Sequence, residues 1–76
     1  MIKATMVVFT SETKLEVFEP FSRIYEVVHQ DGTSYDSALN VAERVARDNG
    51  FDIVDQYFEK NEFDDPITCY FLEKEV

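Results

Sequence analysis

Tryptophan is absent, cysteine occurs once, and glycine and proline occur twice each. The lone Cys69 has no intramolecular disulfide partner, so the chain is not a cysteine-rich secreted scaffold, and a reducing compartment, the cytoplasm, is its expected home. Two isolated glycines exclude a Walker phosphate loop and a dinucleotide fingerprint. No stretch approaches the roughly 18 apolar residues of a membrane span. Thr5, Thr10, Ser11 and Glu12 interrupt the short apolar N-terminal run, which has no cleavage pattern. Basic charge is scarce too: seven Lys and Arg face sixteen acids, for a net charge of −9. A direct nucleic-acid binder carries a basic footprint, and this chain carries the reverse. The same sign disfavours anionic lipid surfaces. No direct nucleic-acid contact and no membrane association are expected.

What is present is apolar. Hydrophobic residues make up 45% of the chain and aromatic residues 14%, too much for a disordered segment. Seventy-six residues read as one domain, 1–76. A core of that size contributes about 3–5 kcal/mol, so such a chain gains stability by dimerising or docking on a partner.

The clearest element lies between Gly32 and Gly50, where Tyr35, Ala38, Leu39, Ala42, Val45 and Ala46 recur at helical spacing. Thr33 and Asp36 fit a capping box, with Ser34 as the competing cap, and Gly50 suits the left-handed helix end. Arg44 and Arg47 fall in the last turns, and Asn40 and Glu43 join them on a solvated face.

The flanks read as strands. Ile2, Ala4, Met6 and Val8 alternate with Lys3, Thr5 and Val7. Residues 21–30 are β-branched and aromatic and run into the Asp31-Gly32 turn. Residues 51–60 and 67–74, joined by a polar turn over 61–66, read as a hairpin. Helical readings compete at Phe21, Ile24, Tyr25 and Val28, with Pro20 in a first turn, and at Asp48, Asp52, Asp55, Glu59 and Glu62. Strand is preferred in both places, since the second helix would have to run through Gly50. Lys14 to Phe18 reads as a short extra strand or an ordered loop. The expectation is an α+β fold, ββαββ, in which one helix packs on a face of an antiparallel sheet of about four strands. Phe21, Tyr25, Tyr57, Phe58, Tyr70 and Phe71 exceed what one helix covers, which points to a homodimer or a protein partner.

Catalytic chemistry finds little support. His29 is the only histidine and falls beside a turn; Cys69 sits in a strand near acids, the opposite of the electropositive setting that activates a thiol, and reads as a small buried apolar residue. Asn61, Glu62, Asp64 and Asp65 lack the spacing and glycine of a calcium loop and read as a solvated turn. A non-enzyme is expected, with no catalytic residues, metal or cofactor.

Charge remains. Residues 51–76 hold eight acids and two lysines, a net of −6, against −3 for residues 1–50. Such an acidic surface fits a basic partner, and the obvious basic partners are nucleic-acid-binding proteins, whose Lys and Arg grooves accept a phosphate backbone. The expected function is inhibition by nucleic-acid mimicry. Phage-encoded antagonists of restriction or CRISPR systems resemble this profile in size and composition. The residues expected to bind are Asp52, Asp55, Glu59, Glu62, Asp64 and Asp65 for charge, with Tyr57 and Phe63 as aromatic anchors. The competing reading is a homodimeric regulatory or assembly module, antitoxin-like proteins included, whose charge serves solubility. In bland readings Tyr57 belongs to the core and Phe63 folds under its own turn. Acids gathered on one face favour the inhibitor; acids scattered around the domain disfavour it.

Overall fold

Thr13, Leu15 and Val17 are buried at alternate positions, and this period of two makes a full strand of the segment left open between strand and loop. In the computed structural model, which describes residues 1–19 and 22–75, the chain runs β1 (Ile2–Val8), β2 (Glu12–Glu19), β3 (Arg23–Val28), α1 (Tyr35–Asp48), β4 (Asp52–Lys60) and β5 (Pro66–Lys74). Pro20, Phe21 and Val76 lie outside the described residues, and with them the expected strand start at Phe21 and the alternative helical turn at Pro20. The α+β class holds, but the sheet has five strands, and the order is βββαββ where ββαββ was expected.

The sheet is antiparallel throughout, in the order β3-β2-β1-β5-β4, so β1 is central and β3 and β4 are its edges. The expected hairpin of the last two strands is β4–β5. Neither competing helical reading holds: Ile24–Val28 are strand, and of the second set Asp48 closes α1 while Asp52, Asp55 and Glu59 are strand and Glu62 lies in the turn.

One face of the sheet carries the core. Ala4, Met6 and Val8 of β1, Leu15 and Val17 of β2, and Tyr70 and Leu72 of β5 are buried beneath α1. The helix presents only Ala38, Ala42 and Ala46 as fully buried residues, a stripe at intervals of four that lets its backbone lie close to the strands. Buried polar side chains are paired across the layers: Thr68 bonds the Tyr35 hydroxyl, and Thr13 Oγ1 lies 2.8 Å from His29 Nε2.

The helix ends follow local chemistry. Ser34 is the cap, its Oγ accepting from the Ser37 amide at 3.2 Å. Thr33, favoured by the capping-box pattern, instead donates its hydroxyl to the Gln30 carbonyl and closes the preceding turn. At the other end Gly50, at φ +81°, donates to the Arg47 carbonyl while Phe51 donates to Ala46, both at 2.9 Å. That pair of bonds is a Schellman motif, and its hydrophobic contact is Phe51 against Ala46, both buried. Phe51 therefore terminates the helix, and the strand begins one residue later than expected.

Candidate protein-binding surface

The face of the sheet turned away from α1 has no covering layer. Its residues follow from register: Glu12, Lys14 and Glu16 of β2 alternate with the buried Thr13, Leu15 and Val17, and they pair with Val28, Glu26 and Ile24 of β3. In β1 the open positions are Lys3, Thr5 and Val7, and in β5 Ile67, Cys69, Phe71 and Glu73.

β4 completes this face through a bulge. Strict alternation along 52–59 would put Asp52 on one side of the sheet and Asp55, Tyr57 and Glu59 on the other. The ladder shifts register between Ile53 and Asp55, so Asp52 pairs with Glu73 and Asp55 with Phe71, both open-face positions. Tyr57 pairs with Cys69 and Glu59 with Ile67. All four expected binding residues of the strand thus share one face.

The turn residues form a separate group at the end of the same strand. Asn61 builds the turn: its Oδ1 accepts from the Phe63 amide at 2.9 Å and the Asp65 amide at 3.0 Å. Asp64 takes the left-handed conformation at φ 66° and pairs with Lys60 Nζ at 3.3 Å. Asp65 accepts weakly from the Asn61 side-chain amide at 3.4 Å. Glu62 and Phe63 point outward, and Phe63, 77% exposed, does not fold under its turn.

Charge is therefore sorted by face more sharply than by position in the chain. The open face gathers Glu12, Glu16, Glu19, Glu26, Asp52, Asp55, Glu59 and Glu73 against only Lys3 and Lys14, Glu19 joining it through a register shift that sets it opposite Lys3. Of these acids, only Glu12 forms a salt bridge among the described residues, with Lys14 at 3.7 Å. On the opposite layer α1 nearly balances Asp36, Glu43 and Asp48 with Arg44 and Arg47. Glu12, Glu16, Glu19, Glu26 and Glu73 were not among the expected binding residues. The signal for the first two was the alternation of β2, legible only once that segment is taken as a strand.

Apolar groups are set into this acidic field. The Tyr57 and Phe71 rings lie 5.6 Å apart at a 35° tilt, and each side chain is about two-fifths exposed, so Tyr57 is not a core residue. Ile24 and Val28 add exposed apolar surface on β3. Cys69 is half-buried between these groups, where a fully buried residue was expected. Its side chain, the cross-strand neighbour of Tyr57, raises the tyrosine pKa above its ordinary value, helped by desolvation and by Glu59.

His29 follows the end of β3 at the turn, as its sequence position suggested, and bonds Thr13 on the helix side. A cleft of about 300 Å³ opens beside it, lined in part by Ser11, Gln30 and Thr33. Cys69 is on the other side of the sheet, so the two side chains do not form a dyad. No group of three or more potential metal ligands occurs among the described residues, and no helix is long and apolar enough to cross a membrane. No known protein family, curated protein or solved structure matches the chain, so the surface is read on its own chemistry.

Proposed function

We propose that this chain is a small acidic protein-binding domain that inhibits its partner by occupying a basic, nucleic-acid-binding surface, as an anti-defence protein of the anti-restriction or anti-CRISPR kind does. One observation carries the reading: the carboxylates of four strands converge on the uncovered sheet face while the helix layer stays nearly neutral. Successive open-face positions on a strand lie about 7 Å apart and neighbouring strands about 4.8 Å apart, so the acids form a two-dimensional lattice of negative charge. A groove evolved for phosphates meets there both charge and the Tyr57–Phe71 pair.

The second reading, a homodimeric regulatory or assembly module, draws on the exposed Ile53, Val54 and Phe58 of β4. Sheet-face dimerisation is disfavoured by the acids themselves, which would meet their own copies.

The test is affinity capture from source-cell lysate at low and moderate salt, with wild type beside an Asp52→Asn, Asp55→Asn, Glu59→Gln variant. A nucleic-acid-processing protein held by wild type, released by salt, competed by DNA or RNA and lost in the variant supports the inhibitor. Equal capture by both proteins, or recovery of the chain alone regardless of salt, sinks it.

A further inference from the structure

The edge strand β4 carries its own pairing instructions. Every residue of it is exposed, and Phe58 remains 70% exposed on the helix side of the sheet. Which of its backbone groups point outward follows from the hairpin. The Asn61 amide donates to the Asp65 carbonyl, so these two residues form a hydrogen-bonded pair. Antiparallel pairs alternate between bonded and non-bonded. Lys60–Pro66 is then a non-bonded pair, consistent with a proline that has no amide hydrogen to give. Continuing the alternation, Phe58–Thr68 and Gln56–Tyr70 are also non-bonded. The N–H and C=O groups of Phe58 and Lys60 and the C=O of Gln56 therefore face away from β5, unpaired in the sheet, while the Gln56 N–H, on the same edge, donates to Asp55 Oδ1 at 2.8 Å.

A second antiparallel strand can meet that edge only in registers that keep like faces together. If the second strand is another β4, the choices are few. A twofold axis at Tyr57 sets Asp55 against the partner copy's Glu59, and an axis at Glu59 sets that carboxylate against itself. An axis at Gln56 runs the pairing into the bulge between Ile53 and Asp55. An axis at Phe58 has none of these faults. It places Phe58 against its own copy, Gln56 against Lys60, and Tyr57 against Glu59, and it brings the outward backbone groups into reciprocal bonds.

We propose that β4 pairs with β4 of a second copy about a twofold axis at Phe58, joining two five-stranded sheets into one. The Phe58 rings meet on the helix side, in the strip that α1 leaves uncovered. The two acidic faces lie side by side on the opposite surface and remain open. This inference does not rest on the basic-partner reading; if both hold, the acidic lattice doubles in width. Two chains of net charge −9 repel, so added salt strengthens this contact, whereas it weakens binding to a basic partner.

Sedimentation equilibrium across protein concentration, at low and high salt, measures the association. The expected mass rises from 8.9 kDa toward twice that value, more readily at high salt. Phe58→Asp places like charges on the axis and is expected to raise the dissociation constant at least tenfold. Asn40→Asp, with the same added negative charge on the exposed face of α1, serves as the control. In a Cys69→Ser background, Phe58→Cys is expected to form an intermolecular disulfide under mild oxidation far faster than Val54→Cys. A mass fixed at 8.9 kDa under all conditions overturns the proposal. So does a dimer insensitive to Phe58→Asp, or one that crosslinks equally fast at position 54.

Discussion

The Tyr70 hydroxyl, buried in the central part of β5, donates to Glu43 Oε1 of α1 at 3.1 Å. Gln56 Nε2 of β4 donates to the Tyr70 hydroxyl oxygen at 3.5 Å, so one phenol ties the helix to the sheet and touches the edge strand. By sequence pattern Tyr70 is one of more aromatics than a single helix covers, and Glu43 falls on the solvated helix face. Each finds its cover in the other.

Tyr70→Phe removes that bond while keeping the ring. It should cost about 1 kcal/mol of stability, because the partly exposed Glu43 is rehydrated instead of stranded. Urea unfolding at neutral pH measures the loss, and an unchanged midpoint would show the bond to be energetically idle.

Burial, reinforced by Glu43, raises the Tyr70 pKa well above its ordinary 10.0. The native state then keeps this proton to higher pH than the unfolded chain does. Its contribution is complete below pH 10 and is lost progressively as pH rises further, because the unfolded state ionises first. Unfolding free energy should decline above about pH 10, less steeply in Tyr70→Phe. An identical alkaline slope in the two proteins contradicts this linkage.

At the helix ends, Ser34→Ala should destabilise by about 1 kcal/mol and Thr33→Ala by less, since Ser34 holds the cap. Gly50 and Gly32 share φ +81°, but a Cβ at Gly50 would lie 3.3 Å from Lys74 Cε, whereas nothing stands within 4 Å at Gly32. Both alanine variants bear the left-handed backbone cost of about 1 kcal/mol. Gly50→Ala should be the worse, because Lys74 must also move from its place over the Phe51 ring, 5.6 Å from the centroid. Thermal melts of the four variants rank these costs directly.

For the binding surface, reversing Asp55 and Glu59 to lysine should slow association with a basic partner by about tenfold and flatten its salt dependence. Reversal of Asp64 and Asp65 should do less, because those carboxylates already answer Lys60 and Asn61 within the turn. Stopped-flow association rates decide it. A larger effect at the turn would move the site there.

Tyr57→Ala and Phe71→Ala should weaken the same complex chiefly through faster dissociation, as truncated aromatic anchors do. Their effect on folding should stay near 1 kcal/mol, since both rings are already partly solvated. Dissociation rates equal to wild type in both variants would remove the pair from the interface.

The helix and the hairpin were legible because their signals are local: alanines at helical spacing between two glycines, and alternation around a polar turn. β2 was half legible, since its buried Thr13, Leu15 and Val17 are separated by Glu12, Lys14 and Glu16, which on their own read as loop. The acidic face was not legible as a face. Charges on a strand acquire a side only through register, and in β4 a single bulge reverses the side that counting would assign to Asp52. Glu26 and Glu73 join it only through strands paired elsewhere in the chain.

The alanine stripe of α1 has a calorimetric consequence. Ala38, Ala42, Ala46 and Ala4 supply much of the buried apolar inventory but few methyl groups, so unfolding wets little hydrocarbon for a chain of this length. The heat-capacity increment should fall below the ordinary 12–15 cal/mol/K per residue, or about 1 kcal/mol/K for the chain. The stability curve is correspondingly flat: folding free energy varies little with temperature, and cold denaturation is pushed far below freezing.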